Sequence, residues 1–478
     1  MNNSVVPEVT GRDGAVKDEG RRRLDVRGAL RSLFPESPES APPVPVRRLL
    51  YAVLNLLAVA IGAVLLLERI PGIPPWDTIY NDDYWQFLRQ ALQQPWHVFI
   101  PYGGYYQLLP RVIAQFTQYL PLAQASRLFA VCGALIASGC GVFIFHASAG
   151  HVRTVWLRAM LGAAVVLMPI AVMEIADNTV CAPWYLMLAT FWALLWRPRT
   201  RTGMAAAALV AFAATSSEII CVLFAPLVAA RLFVLRRPRE HAVTAGWLAG
   251  CLVQVPAVLS SFVTGQSRIG QTQTGSLNHS LAFYAHEVVL PAPGWHLAWW
   301  LQSFAGKNGA TAIVAVLLVA TVGAILVTQP SNRPFVVTAL LISFAICLFD
   351  TTVNGYVATV PLWTFAHEPG SRYSVLPIFT IQAVVIVGVD YLVRQRGGLR
   401  RPGKASLLPA IAVFALVAVL GGSWVADFRD AAFRSYGNLN WGPVVAKWQY
   451  DCAHSRSGAI SEKFRNVPQT LPCTHIRP

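Results

Sequence analysis

The sequence predicts an all-α membrane protein, a polytopic bundle of about 11 transmembrane helices, and three observations support this fold class. Hydrophobic residues make up 55% of the 478 positions. They gather in separate runs, many of them close to the roughly 20 residues that a helix needs to cross the hydrocarbon core of a bilayer. Arginine concentrates in the short polar segments between alternate runs, as the positive-inside rule expects for cytoplasmic loops.

The apolar runs define the transmembrane helices and the domain boundaries. The predicted helices lie at residues 48–70, 125–146, 155–173, 180–196, 203–216, 217–235, 241–263, 309–328, 334–350, 372–393 and 405–426. Residues 1–46 are polar and rich in Arg, Glu, Pro and Ser, which predicts a disordered cytoplasmic tail. The multi-span domain covers residues 47–426, and residues 427–478 form a small extracytoplasmic C-terminal tail.

The distribution of Lys and Arg orients this bundle. Most of the 38 basic residues lie in the N-terminal tail and in the loops after every second helix, which places the N-terminus in the cytoplasm and the C-terminus outside. The same distribution explains the formal charge of +15, so nucleic acid is excluded as a partner and membrane lipid is expected instead. The outer segments are much longer than the cytoplasmic loops. A multi-pass protein of the bacterial cell membrane, with its working face outside, is therefore expected.

The first outer segment, residues 71–124, contains three acids, Asp77, Asp82 and Asp83, in a chain with only 13% charged residues. Asn81 is placed to cap a helix that begins at Asp82. This helix is expected to lie along the membrane surface on an apolar face formed by Tyr84, Phe87, Leu88, Ala91 and Leu92. Adjacent carboxylates on a helix lie roughly 100° apart, so we expect one of Asp82 and Asp83 to be catalytic and the other to stabilise the helix start.

Three further acids are expected on the same outer face. Glu174 and Asp177 flank the outer end of the third helix, and Glu218 lies near the outer start of the sixth. Ordinary interfacial polarity is the alternative interpretation, although an acid below the membrane surface is costly and would favour a function for Glu218.

Arginines at the outer face are candidates for binding a phosphate. Arg372, followed by Tyr373, begins the tenth predicted helix, where its planar fork of N–H groups can hold a lipid phosphate or pyrophosphate. Arg111 and Arg127, in and after the first outer segment, permit the same interpretation. The alternative for all three is that the side chain reaches to the membrane surface without a ligand.

Cysteine and histidine spacing predicts a disulfide rather than a metal site. Cys452 and Cys473 lie in the polar tail on the oxidising side of the membrane, where they can staple a small ordered cap. His279, His286 and Glu287, in the long outer loop, match no ligand motif. A divalent cation is compatible with the sequence, but no pattern indicates one.

These features resemble the GT-C class of integral-membrane glycosyltransferases, which use polyprenyl-phosphate-linked sugars. The resemblance rests on Asn81-Asp82-Asp83-Tyr84-Trp85, on the segment 103–111, and on Arg372-Tyr373. It covers the architecture over roughly residues 48–426. It implies that Asp82 or Asp83 is the general base, and that basic residues hold the carrier phosphate. The supporting residues of such a site would be Asp77, Tyr84, Glu174, Asp177, Glu218 and Tyr373.

The resemblance implies transfer of a sugar, with inversion, from a polyprenyl-phosphate donor to a glycan, lipid or protein acceptor of the cell envelope. A membrane transporter or lipid-linked glycan flippase is the main alternative, and it predicts ionisable residues near mid-membrane and broken helices. A polysaccharide polymerase or ligase, with an Arg-rich outer loop, and a purely structural protein are further alternatives. The low charge of the predicted helix centres favours the transferase.

Overall fold

The computed structural model describes residues 26–37, 45–80, 82–168, 176, 178–264, 276–353, 372–395, 407–429, 438–455, 458–464 and 467–476. The α-helices in these residues are α1 (Val26–Arg31), α2 (Pro45–Glu68), α3 (Arg89–Gln93), α4 (Leu108–Gln115), α5 (Ala125–Ala147), α6 (Val155–Leu167), α7 (Ala182–Leu195), α8 (Arg201–Thr215), α9 (Ala225–Val234), α10 (Ala242–Thr264), α11 (Leu277–Phe283), α12 (Trp295–Thr328), α13 (Arg333–Val353), α14 (Arg372–Gln395), α15 (Leu407–Leu416), α16 (Gly422–Ala426) and α17 (Trp441–His454).

Wider and tighter helical segments connect several of these helices. The π-helical segments are Asp83–Leu88, Tyr284–Val289 and Val417–Gly421. The 3-10 segments are Pro75–Asp77, Phe116–Tyr119, Leu122–Gln124, Ser148–Gly150, Ile219–Phe224, Pro238–His241 and Cys473–His475. The strands are β1 (Thr78–Tyr80), β2 (Asn438–Asn440), β3 (Ala459–Phe464) and β4 (Val467–Pro472).

Within the described ranges, 7 helices are long and apolar enough to cross a membrane. They are Arg48–Glu68, Leu122–Gly150, Pro238–Thr264, Trp295–Thr328, Arg333–Thr352, Arg372–Gln395 and Pro409–Ala426. Shorter apolar helices lie at Val155–Leu167, Ala182–Leu195, Arg201–Thr215 and Ile219–Val234. Each predicted run coincides with one of these helices. The prediction of a helical integral membrane protein is therefore confirmed, whereas the number of spans, the loop topology and the orientation stay predictions.

The centre of the bundle is formed by α7 and α14. Every residue of α7 is buried, because this helix is apolar on all sides and can be covered only by other helices. Most of α14 is buried as well. Around them, α5 packs against α2, α6 and α7, while α8 packs between α7 and α10. The outer helices α2 and α12 expose many apolar side chains, as expected for surfaces that face lipid.

One stretch near the N-terminus is folded, although residues 1–46 were expected to be disordered. Leu33 and Phe34, just after α1, are buried. The guanidinium carbon of Arg231 lies 5.7 Å from the centre of the Phe34 ring, and Glu36 pairs with Arg197 at 3.1 Å. The reason is that the apolar patch 26–34 finds a complementary surface at the ends of the neighbouring helices. Residues 1–25 and 38–44 lie outside the described residues.

Helix α12 is broken at Gly306, where φ is +70° and ψ is 167°. Glycine adopts a positive φ at little cost because it has no Cβ atom. The part before the break exposes Trp299, Trp300 and Phe304, which is typical of a helix at the membrane surface. The part after the break continues as an apolar helix to Thr328, which explains why the sequence predicted this span to start only at residue 309.

The C-terminal segment packs as a cap on the first outer segment. Strand β1 pairs with β2 in antiparallel register, with Ile79 opposite Leu439. The Tyr84 ring lies 6.1 Å from the Trp441 ring and 5.6 Å from the Trp448 ring, measured between ring centres. Strands β3 and β4 form a hairpin, and a disulfide joins Cys452 to Cys473.

Candidate active site

A cavity of about 180 Å³ opens where several helix ends meet the first outer segment. Polar residues that line it include Asp82, Gln107, Glu218, Asp350 and Arg372. Apolar residues that line it include Trp184, Ile219, Ile220, Val258, Phe262 and Phe349. Mixed walls of this kind are typical of sites that bind a ligand with a polar head and an apolar tail.

The charged residues reach this cavity from the ends of separate elements. Asp82 immediately precedes the π-helical segment 83–88, and Glu218 immediately precedes the 3-10 segment 219–224. Asp350 lies near the last turn of α13, and Arg372 is the first residue of α14. Because these ends meet on one side of the bundle, residues that are far apart in the sequence form one site.

The structure separates the two adjacent acids of the first outer segment. Asp82 is half-buried and lines the cavity. Asp83 is fully buried, and its Oδ1 accepts hydrogen bonds from the Thr179 hydroxyl at 2.7 Å and the Val180 N–H at 2.9 Å. Its Oδ2 accepts a third bond, from the Thr179 N–H at 2.9 Å. Asp83 therefore fixes the start of this helix to the turn before α7, and only Asp82 remains available to a ligand.

Burial also changes the protonation of Asp83. Removal from water raises the pKa of this carboxyl from 3.8 to about 7, although the hydrogen bonds from Thr179 and Val180 act in the opposite direction. The carboxyl therefore exchanges its proton near neutral pH while it remains inaccessible to ligands.

The apolar face predicted for the helix after Asp82 is confirmed. Tyr84, Phe87, Leu88, Ala91 and Leu92 are all buried. This face packs inside the protein, in contact with α4 and the C-terminal cap, rather than along the membrane surface as expected. The C-terminal segment, whose position the sequence did not reveal, takes the place of lipid. Asn81, the predicted cap of this helix, lies outside the described residues.

A tight turn at residues 102–105 forms one edge of the cavity. The Tyr102 N–H donates to the Tyr105 carbonyl at 2.9 Å, which closes the turn. Gly103 and Gly104 between them have φ values of +65° and +99°. Paired positive φ values are typical of two-residue hairpin turns and favour glycine at both positions. The two tyrosines are thus held at the cavity wall by a turn that larger residues would strain.

This turn is anchored to the bundle by two polar side chains. The Tyr105 hydroxyl donates to Glu218 Oε2 at 3.3 Å. Gln254, buried in α10, accepts from the Tyr106 N–H at 2.8 Å and donates to the Tyr106 carbonyl at 2.9 Å. The same amide donates to the Thr215 carbonyl at 3.1 Å. These bonds make the turn part of the rigid wall of the cavity.

Asp350 and Arg372 also line the cavity. Asp350 is only 3% exposed, and its Oδ2 has no hydrogen-bond partner among the described residues. Glu218 and Arg372 line the same cavity. Arg372 donates from Nη2 to the Tyr373 hydroxyl at 3.1 Å, and the Tyr373 ring packs edge-on against Trp184.

The three arginines predicted to hold a phosphate lie in different places. Arg372 lines the cavity. Arg111 is buried in α4, donates to Gln90 and lies 5.4 Å from the centre of the Phe87 ring, and burial lowers its pKa to about 10. Arg127 is exposed and lines a separate groove at the ends of α2 and α5. Of the three, the structure places only Arg372 with Asp82.

The supporting residues divide in a similar way. Glu218 and Tyr373 line the cavity. Asp77 is exposed in the turn before β1, and Tyr84 is buried against the cap. The two remaining acids, Glu174 and Asp177, lie outside the described residues.

The histidines of the long outer loop do not join the cavity. His286 Nδ1 shares a hydrogen bond with the Thr311 hydroxyl at 2.9 Å, and Glu287 Oε1 lies 3.7 Å from Lys307 Nζ. In the described ranges, no group of three or more His, Cys, Asp and Glu side chains is arranged to hold a metal ion.

Sequence reasoning missed Asp350 and Gln254. Both follow apolar residues inside predicted helices, 334–350 and 241–263, and a polar residue in such a run is itself a signal of function or of close helix contact. Asp350 was overlooked because it ends its run and therefore resembles an ordinary boundary residue.

Similarity to known proteins was found at the level of structure. No family model matches the chain, and no curated protein sequence matches it. Among solved structures, the chain is similar to the cryo-EM structure of arabinofuranosyltransferase AftD from Mycobacteria, with 15% identity and a TM-score of 0.44 over 89% of this chain. The chain spans only 30% of the length of that protein.

Proposed function

We propose that this protein is a membrane glycosyltransferase that moves a sugar from a polyprenyl-phosphate donor to a hydroxyl group of a cell-envelope glycan, lipid or protein. The supporting observation is that one cavity combines an accessible carboxylate, Asp82, with a guanidinium, Arg372, and an apolar wall. The carboxylate suits the acceptor hydroxyl, the guanidinium suits the lipid phosphate, and the apolar wall suits the polyprenyl chain.

Asp82 is the proposed general base. It takes the proton of the acceptor hydroxyl while that oxygen attacks the anomeric carbon of the donor sugar. The bond from this carbon to the phosphate oxygen breaks, and its electron pair leaves with the polyprenyl phosphate. Attack from the opposite face inverts the anomeric configuration, and the good leaving group makes a covalent enzyme intermediate unnecessary.

Arg372 is the proposed contact of the leaving phosphate. A guanidinium at this position stabilises the negative charge that develops as the phosphate departs. In the described lining, three carboxyl groups, Asp82, Glu218 and Asp350, accompany this one guanidinium. An anionic phosphodiester is therefore expected to bind together with a proton or a divalent cation that offsets the excess of negative charge.

The apolar wall suits the lipid part of the donor. Val258 and Phe262 come from α10, and Phe349 comes from α13, so the wall continues into the helical bundle. Phe262 is also exposed on the surface of α10. A polyprenyl chain can thus leave the cavity between helices without crossing a polar surface.

A transporter or flippase of lipid-linked glycans is the second candidate, and the break of α12 at Gly306 favours it. A transporter is expected to have ionisable residues near mid-membrane. The acids within the described spans of α13 and α14 are Asp350 and Asp390, and both lie toward helix ends. Asp390 is bound by the N–H groups of Arg153 and Thr154 and by Arg394, so it serves helix packing.

The proposal is tested with purified protein in nanodiscs and a panel of radiolabelled polyprenyl-phosphate donors that carry different sugars. Membrane extract supplies the acceptors, and Asp82→Asn is the inactive control. Transfer of label to an acceptor by the wild-type protein alone supports the proposal. Absence of binding and transfer for every donor would refute it. Movement of a fluorescent lipid-linked sugar across vesicles, with no transfer, would favour the second candidate.

A further inference from the structure

Asp350 is a buried acid on the wall of the cavity, and the proposed reaction as described so far does not use it. Only 3% of its surface is exposed, and Oδ2 has no hydrogen-bond partner among the described residues. Leaving a buried polar atom without a partner costs free energy, because the hydrogen bonds it made to water are not replaced. A cost of this kind is offset when a ligand supplies the missing hydrogen bond.

The neighbouring acid has a different role. Glu218 Oε2 accepts from the Tyr105 hydroxyl at 3.3 Å, and Oε1 accepts from the Ile220 N–H at 3.4 Å. Both of its oxygens therefore have protein partners and hold the wall of the cavity in place. Asp350 differs because it lines the cavity while its Oδ2 has no hydrogen-bond partner among the described residues.

The position of Asp350 points to the sugar of the donor. It lines the same cavity as Arg372, and Arg372 is the proposed phosphate contact. In a polyprenyl-phosphate sugar, the anomeric carbon is bonded directly to a phosphate oxygen. A side chain beside the phosphate contact is therefore within reach of the sugar ring. Hydroxyl groups are the polar groups that such a ring offers.

We propose that Asp350 forms a hydrogen bond with a hydroxyl group of the donor sugar and thereby determines which sugar the cavity accepts. Sites that hydrogen-bond a substrate hydroxyl discriminate strongly against analogues that lack it, because the buried partner is then left unpaired. This inference rests on the proposed function, since it assumes that the cavity binds a lipid-linked sugar.

The test compares Asp350→Asn with Asp350→Ala in nanodiscs. Both variants remove the carboxyl group, but only asparagine can still hydrogen-bond, so the difference between them isolates the hydrogen bond. The ligands are a polyprenyl-phosphate sugar, taken from the panel above, and bare polyprenyl phosphate. Thr352→Val is the matched control, because its hydroxyl donates to carbonyl groups within α13.

The alanine variant should bind the lipid-linked sugar about tenfold more weakly than the asparagine variant, a difference that corresponds to one hydrogen bond. The two variants should bind bare polyprenyl phosphate equally, and Thr352→Val should behave as the wild type with both ligands. If alanine and asparagine give equal affinities for the sugar lipid, the inference is wrong.

Other outcomes separate this inference from the proposed function. If alanine weakens the binding of both lipids to the same extent, Asp350 supports the fold of the cavity and does not contact the sugar. If only the KM for the acceptor changes, Asp350 contacts a hydroxyl of the acceptor. The proposed contact with the donor sugar is then wrong. If the wild-type protein binds the donor and transfers sugar while neither variant differs from it, this inference fails and the proposed function stands. Failure of the wild-type protein to bind either lipid would overturn both.

Discussion

Asp83 binds Thr179 twice, through the hydroxyl at 2.7 Å and through the backbone N–H at 2.9 Å. This pair joins the first outer segment to the turn that precedes the central helix α7. Asp82, the next residue toward the N-terminus, projects into the cavity instead. Two acids that look equivalent in the sequence therefore have separate tasks, one in the architecture and one in the proposed chemistry.

Replacement of Asp83 by Asn should lower the stability by about 1–3 kcal/mol, because an amide cannot accept all three hydrogen bonds. The pH dependence gives a second signature. With a pKa of about 7 in the folded protein, against the usual 3.8, the folded state retains a proton that the unfolded chain releases. The contribution of this group to stability is therefore present at low pH and is lost as the pH rises through about 7.

Thermal unfolding in detergent at pH 5 and pH 8 measures this effect. The wild-type melting temperature should fall between these pH values, and Asp83→Asn should show a smaller fall. Asp82→Asn is the matched control on the adjacent residue and should melt like the wild type. If the melting temperatures of the wild type and Asp83→Asn depend equally on pH, the raised pKa of Asp83 is not the source of this pH dependence.

Asp82→Asn should reduce turnover by roughly 10²–10⁴-fold, the usual contribution of a general base. Affinity for the sugar donor should change little, because the base acts on the acceptor hydroxyl in the transition state. Single-turnover transfer and donor binding are measured separately. Full activity of this variant would remove Asp82 from the mechanism and would direct attention to Glu218.

Arg372→Ala should weaken binding of polyprenyl phosphate and of the sugar donor, since the guanidinium contacts the phosphate in the ground state as well. Arg372→Lys should recover only part of this affinity, because lysine lacks the planar fork of N–H groups. Arg127→Ala, which changes the separate groove, is the control. Binding of bare polyprenyl phosphate reports the effect directly. Equal losses in the Arg372 and Arg127 variants would indicate a general effect of positive charge at the membrane surface.

Gly104→Ala should displace the 102–105 turn, because a φ of +99° is unfavourable for a residue with a Cβ atom. We expect weaker binding of the sugar donor together with a modest loss of stability of about 1–3 kcal/mol. Gly139→Ala is the control, since a Cβ atom at this position in α5 meets open space. Unchanged binding in Gly104→Ala would show that the turn does not shape the cavity.

Replacement of both Cys452 and Cys473 by Ser should loosen the cap. Closing a loop with a sequence separation of 21 residues restricts the unfolded chain by about 3 kcal/mol in the chain-entropy model. Limited proteolysis should cleave the cap of the variant faster, and Cys251→Ser, which alters a free cysteine, should not change the cleavage rate. Identical rates in all three proteins would show that the disulfide is dispensable.

The elements that depend on local pattern could be predicted from the sequence. The apolar runs located the helices, and helical spacing identified the buried face from Tyr84 to Leu92. The sequence could not show which protein surface covers that face, because Trp441 and Trp448 are distant in the chain. The sequence also could not show that Asp82 and Asp83 have separate roles, or that Asp350 and Arg372 line one cavity. Both depend on how the helix ends come together in the fold.

The pairing of β1 with β2 has a consequence for the order in which the molecule is completed. Strand β1 ends at Tyr80, two residues before Asp82, and its partner β2 begins only at Asn438, after the last apolar helix of the described residues. During synthesis, the segment with Asp82 must wait for this partner while almost the whole membrane domain is inserted. A chain that stalls before its final segment can already contain Asp82, Glu218, Asp350 and Arg372. It lacks β2, the partner of the strand that ends two residues before Asp82.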